Sequence, residues 1–218
     1  MAKESAAPFV PDKADLARLR EAARECRGCD LWEPATQTVF GAGRERAGAV
    51  LVGEQPGDQE DRRGEPFVGP AGRVLDRALA EAGLAREDVY LTNAVKHFRF
   101  TRNEGGKRRL HQSPNTVEVA ACRPWLAAEL GVVSPSVVVA LGAVAGRSLL
   151  GPSFRVTRER GVVQACPPFD ALGARPERET GVRLVATVHP SAVLRAEGRA
   201  EAYAGLVADL RVVASLLG

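Results

Sequence analysis

The sequence predicts an α/β fold, a three-layer sandwich with a mainly parallel, four-stranded central sheet between helices. Three observations predict it. Four apolar runs (49–52, 88–95, 136–141 and 183–188) are short and rich in Val, Ala and Leu, as strands buried on both faces are. Segments with helical spacing of apolar residues separate them, and such alternation implies parallel strands joined by helical crossovers. The 218 residues suit one domain, with 45% hydrophobic and 26% charged residues, both ordinary for a globular protein.

The elements follow in order. Residues 1–11 read as a loose tail, and residues 12–218 as a single domain. Asp12 is the expected N-cap of a first helix, in which Leu16, Leu19, Ala22 and Ala23 recur at helical spacing up to about Cys26. Ala49–Val52 is a short strand cut off by Gly53. Residues 53–70 are rich in Gly, Pro and charge and are expected to form a long loop, a length that is often functional. Gly72 to Gly83 reads as a helix with Val74, Leu75, Ala78 and Leu79 inward, and Asp88 to Val95 as a second strand.

Residues 96–115 read as a second long loop. Thr116 to Leu130 is a helix carrying Cys122, with Pro124 expected to start or kink a turn. Ser136–Leu141 is a buried strand and Gly142–Leu150 a helix. Residues 155–165 read as a hairpin or edge segment around Gly161, and 167–181 as an irregular loop. Arg183–Val188 is a strand ended by His189-Pro190, and Glu201–Leu217 an amphipathic helix. In such sheets ligands bind beyond the carboxyl ends of the strands. The loop from Gly53, the loop from Asn93 and the turn at His189 all lie there.

No apolar run reaches membrane-spanning length, and residues 1–10 lack the apolar core of a signal peptide. A cytoplasmic, monomeric protein is expected. The net charge of +3 is too small to point to nucleic acid by itself. Its distribution is more specific: Lys96, Arg99, Arg102, Lys107, Arg108 and Arg109 face one acid, Glu104, between positions 96 and 109. That run is either a solvated charged loop or a phosphate-contacting one.

Four cysteines are present: Cys26, Cys29, Cys122 and Cys166. Cys26 and Cys29 form a C-x-x-C pair that follows a helix, whereas a thioredoxin-type pair would sit between a strand and a helix. A metal or cluster site with two further ligands is the expected use.

The run Gly53-Glu-Gln-Pro-Gly-Asp-Gln-Glu-Asp61, followed by Glu65-Pro-Phe-Val-Gly-Pro-Ala-Gly72, is a Gly-rich loop entering a helix. It lacks the Lys of a P-loop and carries carboxylates that would repel phosphates. It resembles the first motif of the iron–sulfur uracil-DNA glycosylases of the family-4 type. Thr92-Asn-Ala-Val-Lys96 resembles their second motif and Val188-His-Pro-Ser191 their last. Cys26, Cys29 and Cys122 resemble their cluster ligands. The match covers nearly all of the chain after about Leu16. The basic insertion Gly105-Gly-Lys-Arg-Arg-Leu-His-Gln-Ser-Pro114, with Gln55 after Glu54, resembles the UdgX subfamily, in which the loop histidine bonds covalently to the sugar left after uracil is removed.

The resemblance implies a uracil-DNA-glycosylase-like fold and uracil-containing DNA, single-stranded DNA included, as the partner. The uracil-binding candidates are Gln55, Asp58, Phe67, Asn93 and His189. Phe67 would stack on the base, Asn93 would read its O4 and N3 edge, and His189 would donate to O2 as charge builds there. Glu54 would stabilise the sugar cation or orient a nucleophile. His111 would attack C1′, and Gln55 would orient it. An alkylated imidazole is a poor leaving group, so the enzyme would stay attached to DNA. Lys107, Arg108, Arg109 and Ser191 are the DNA-binding candidates. A 4Fe–4S cluster would take Cys26, Cys29, Cys122 and His97, with Cys166 as the competing fourth ligand. Zinc on three cysteines and a histidine is the chemical alternative.

Overall fold

The computed structural model describes residues 5–103, 105, 106, 108–176 and 180–218. In chain order the strands are β1 (Ala42–Gly43), β2 (Ala49–Gly53), β3 (Val89–Asn93), β4 (Phe100–Arg102), β5 (Arg109–His111), β6 (Val137–Leu141), β7 (Val163–Ala165) and β8 (Arg183–Thr187). The helices are α1 (Leu16–Ala23), α2 (Asp58–Arg63), α3 (Pro70–Glu81), α4 (Thr116–Val133), α5 (Gly142–Leu150), α6 (Val156–Glu159), α7 (Pro190–Arg195) and α8 (Arg199–Leu217).

The central sheet runs β1-β3-β2-β6-β8-β7. Its middle strands β3, β2, β6 and β8 are the four expected ones and pair in parallel. Short antiparallel strands, β1 and β7, extend it at the two edges. Every residue of β2, β3 and β6 is buried. Successive side chains alternate between two cores. Val50, Val52, Val138 and Ala140 pack with Leu19, Trp125, Leu126 and Leu149 on one face. Ala49, Leu51, Val137 and Val139 pack with Leu75, Leu79, Leu206 and Leu210 on the other.

Several local expectations are corrected. The first helix is capped by Asp15, whose side chain accepts from Arg18 N, rather than by Asp12, and it ends at Ala23, short of Cys26. The described part of the tail is docked: Ala6 N donates to Ala121 O at 2.8 Å. The segment 53–70 contains α2, because Glu60, three residues after the N-cap Gly57, accepts from Gly57 N and holds the first turn. The segment 96–115 contains the β4–β5 hairpin. The helix α4 continues through Pro124. The turn after His189 becomes α7, with Pro190 at its first position.

Candidate active site

The loops after β2, β3 and β8, together with the β4–β5 hairpin, enclose a cavity of about 420 Å³ lined by Glu54, Gln55, Phe67, Asn93, His111 and His189, among others. Gly53 and Asn93 sit opposite each other in the parallel register of β2 and β3. A Cβ on Gly53 would lie 2.3 Å from Asn93 Oδ1 and 2.7 Å from Phe67 Cζ. The strand therefore ends in glycine because two site side chains occupy the space of a third.

Phe67 is buried with φ of 57°, a left-handed backbone that is uncommon in a bulky residue. Such strain persists only where the surroundings impose it. Glu60 imposes it here: Oε2 accepts from Gly57 N at 3.1 Å and Oε1 from Gly69 N at 2.7 Å, so one carboxylate straps both ends of the segment. The start of α3 closes on the same turn, since a Cβ on Gly72 would lie 1.8 Å from Phe67 O. The Phe67 and His189 rings are stacked at 6.2 Å and 29°. Sequence reasoning missed Glu60, although its position three residues after a glycine N-cap was the available signal.

His189 caps α7 and accepts from Ser191 N through Nδ1 at 3.2 Å, with Ser191 Oγ 2.8 Å from the same nitrogen. In the neutral ring the proton therefore sits on Nε2. Burial lowers its pKa to about 4, and Arg195 and His111 add to the fall. His189 thus contributes stability above its unfolded pKa of 6.5 that is lost as pH falls toward 4. At about 1.4 kcal/mol per unit, that loss is about 3 kcal/mol. Denaturant unfolding at pH 7 and pH 4.5 should show a steeper fall for the wild type than for His189→Asn.

Asn93 is 3% exposed, and among the described residues its carboxamide has no hydrogen-bond partner. Its backbone is held from below: Lys96 Nζ donates to Asn93 O and to Thr92 Oγ1, each at 2.7 Å, and ion-pairs with Glu129. Glu129 also accepts from Tyr90 OH at 2.9 Å and Gly41 N at 3.0 Å. Lys96 is thus a buried structural cation and not part of an exposed basic run.

Two further candidates change role. Arg109 is held at Asp58 Oδ1 (2.5 Å) and Asp61 Oδ2 (2.6 Å), and its guanidinium lies over Phe98 and Phe100. Its side chain is 7% exposed, so it anchors the hairpin to α2 and offers nothing to a phosphate. Asp58 pairs with Arg62 and Arg109 and does not line the cavity. Arg108 is exposed. Lys107 lies outside the described residues. Ser191 lines the cavity while bonding His189. Arg195, one turn along α7, also lines it and had no signal in the sequence motifs.

The anchored hairpin brings His111 over the cavity, tilted against Phe98 at 5.9 Å. Gln55 Oε1 accepts from Arg99 N at 3.0 Å, which turns its Nε2 toward His111 Nε2 at 3.0 Å. His111 Nε2 is then the acceptor. Glu54 Oε1, 4.0 Å from the same nitrogen, is buried without a hydrogen-bond partner among the described residues. Gln55 Nε2 also reaches Arg99 O at 3.2 Å and Gln112 O at 2.9 Å. Three acceptors thus share two hydrogens.

All four cysteines are buried. Burial pushes the Cys122 thiol up to about 12, with Cys29 and Cys26 adding to the rise and Lys96 opposing it, so these three cysteines are electrostatic neighbours. Lys96 N points at Cys122 Sγ at 3.3 Å. Cys166, at the end of the edge strand β7, is not among those neighbours. Thr38 donates its one hydroxyl hydrogen to Ala23 O, so His97 Nε2, 2.9 Å away, is the donor and Nδ1 keeps its lone pair. Among the described residues no group of three His, Cys, Asp or Glu side chains could hold a metal ion. No described helix is long and apolar enough to cross a membrane.

The family model of the uracil DNA glycosylase superfamily matches residues 40–211. A type-4 uracil-DNA glycosylase of Pyrobaculum aerophilum is 36% identical over 182 residues, 83% of this chain and 85% of that protein. One of Thermotoga maritima is 38% identical over 80% of this chain and 81% of that protein. One of Archaeoglobus fulgidus is 36% identical over 88% of each.

Proposed function

The chain belongs to the uracil DNA glycosylase superfamily, and from that premise we propose that it excises uracil from DNA and is then captured by its product through His111. The convergence of Glu54, Phe67, Asn93, His111 and His189 on one cavity carries this reading. Flipped uracil stacks on Phe67, and the unpartnered Asn93 carboxamide reads its edge. As the N-glycosidic bond breaks, its electron pair leaves with uracil, and His189 Nε2–H donates to O2 where that charge collects. Glu54 faces the cationic sugar. The lone pair of a His111 ring nitrogen then forms a bond to C1′, the imidazole gives up its other proton to water, and the uracil anion takes a proton from solvent.

The shared hydrogen bonds of Gln55 suit this step. When His111 Nε2 swings to C1′, the two hydrogens of Gln55 Nε2 keep Arg99 O and Gln112 O, and no donor is left unpaired. Incubation with uracil-containing single-stranded DNA should release free uracil and give a protein–DNA band that survives a denaturing gel. Free abasic DNA in excess over protein, without that band, would instead support water as the nucleophile, a reading favoured by the unpartnered Glu54 Oε1.

Gly53→Ala tests the pocket itself. Its methyl would displace Asn93 or Phe67 by an ångström or so, and such misplacement lowers rates by about 100-fold. Excision should fall by that order, and an unchanged rate would refute the pocket assignment.

For the cofactor we propose a 4Fe–4S cluster held by Cys26, Cys29, Cys122 and His97. Three neighbouring buried sulfurs, a backbone N–H aimed at one of them and an Nδ1 lone pair set by Thr38 support it. The cluster would supply rigidity, tying the segment after α1 to α4 and to the end of β3. A colourless protein containing zinc and no iron would refute it.

A further inference from the structure

A second groove, of about 250 Å³, lies between α4 and α5. Pro114, Val119, Val144 and Pro152 give it an apolar wall, and Arg123 and Arg147 supply its charge. Among the described residues neither arginine has an ion pair or a side-chain hydrogen bond, and Arg123 Nε is buried with no partner. Buried donors are normally satisfied, so an unpaired guanidinium nitrogen beside an open groove points to an acceptor beyond the described residues. The guanidinium is also held in place. It packs on Gly173, where a Cβ would come within 2.5 Å of Arg123 Nη2.

The groove adjoins the candidate active site. Ser113 lines the cavity and Pro114, the next residue, lines the groove. Their Cα atoms are therefore about 3.8 Å apart. Arg99 Nη1 donates to Ser113 O at 2.7 Å and fixes the rim between the two. A strand leaving the cavity past Ser113 would reach the groove at once.

We infer that the groove binds a nucleotide flanking the excised uridine on the same DNA strand, its phosphate on Arg123 and Arg147 and its base against the apolar wall. Fork-like guanidinium donors match phosphate oxygens, and the wall accepts any base without reading its edge. The inference rests on the glycosylase reading for the identity of the strand. It assigns the phosphate contact to α4 and α5, whereas the basic run of the hairpin spends Arg109 on Asp58 and Asp61.

The test uses single-stranded oligonucleotides carrying 2′-fluoro-2′-deoxyuridine, whose glycosidic bond resists cleavage, lengthened one nucleotide at a time on either side. Wild-type affinity should step upward when the extension on one side reaches the groove. Arg147 is exposed, so Arg147→Ala keeps the fold. This variant should lose that step, bind the long oligonucleotide about tenfold more weakly, and show a log affinity against log salt slope shallower by about 0.7. Arg147→Lys should restore the slope. No step in the wild type, or the same step and slope in Arg147→Ala, overturns the inference. Failure of the wild type to release uracil from unmodified DNA would sink the glycosylase reading instead.

Discussion

His111→Ser is expected to abolish the covalent protein–DNA band and leave uracil release in place. The cavity keeps Phe67, Asn93 and His189 in this variant, and Glu54, whose Oε1 has no partner among the described residues, still lines it. Gln55 keeps Arg99 O and Gln112 O, so the hairpin does not depend on the imidazole. Serine lacks both the reach and the nucleophilicity of a neutral imidazole. The sugar cation should then fall to water and the variant turn over: uracil released should exceed protein, where the wild type is expected to stop at about one equivalent because alkylated imidazole is a poor leaving group. Quantifying uracil and the gel band together checks both halves. A band that persists in His111→Ser would place the bond on another residue and end the capture reading.

Lys96→Met should cost about 3–5 kcal/mol of stability, because it leaves a fully buried carboxylate without its cation. Glu129 would still accept from Tyr90, Thr92 and Gly41, but those neutral donors do not balance a charge at 0% exposure. The double variant Lys96→Met with Glu129→Leu should recover part of the loss, since an apolar pair in place of a buried ion pair is often close to neutral. Denaturant unfolding of the wild type, the single variant and the double variant closes the cycle. A loss below about 1 kcal/mol in the single variant, the range of exposed pairs, would refute the structural role of Lys96. Excision should fall as well, because Lys96 holds the carbonyl of Asn93.

The four parallel strands and most of the helices were legible from local pattern. Runs such as Val137–Leu141 have no polar residue to place on a solvent face, so they read as strands covered on both sides. The strands β1 and β7 were less legible because each is only two or three residues long and is held by its partner's hydrogen bonds. Likewise α2 was masked because it has no apolar residue and is flanked by Gly57 and Gly64, although its capping glutamate was present in the sequence. Of the site residues that motifs identified, Glu54, Gln55, Phe67, Asn93, His111 and His189 line one cavity, and Asp58 does not.

The charged residues behaved differently. Lys96 and Arg109 looked alike in the sequence, as members of one basic run, and Asp58 stood among loop carboxylates. What separates them is distance in space between residues far apart in the chain. Glu129 lies 33 positions from Lys96 and neutralises it. Asp58 and Asp61 lie 51 and 48 positions from Arg109 and do the same. The sequence by itself determined the four parallel strands, because periodicity is a property of the local chain, and its motifs carried the resemblance to the family. The tertiary structure alone decided which charges are spent inside the protein and which, like Arg123 and Arg147, have no ion pair among the described residues. Coulomb energy depends on separation and burial, and neither is written in sequence order.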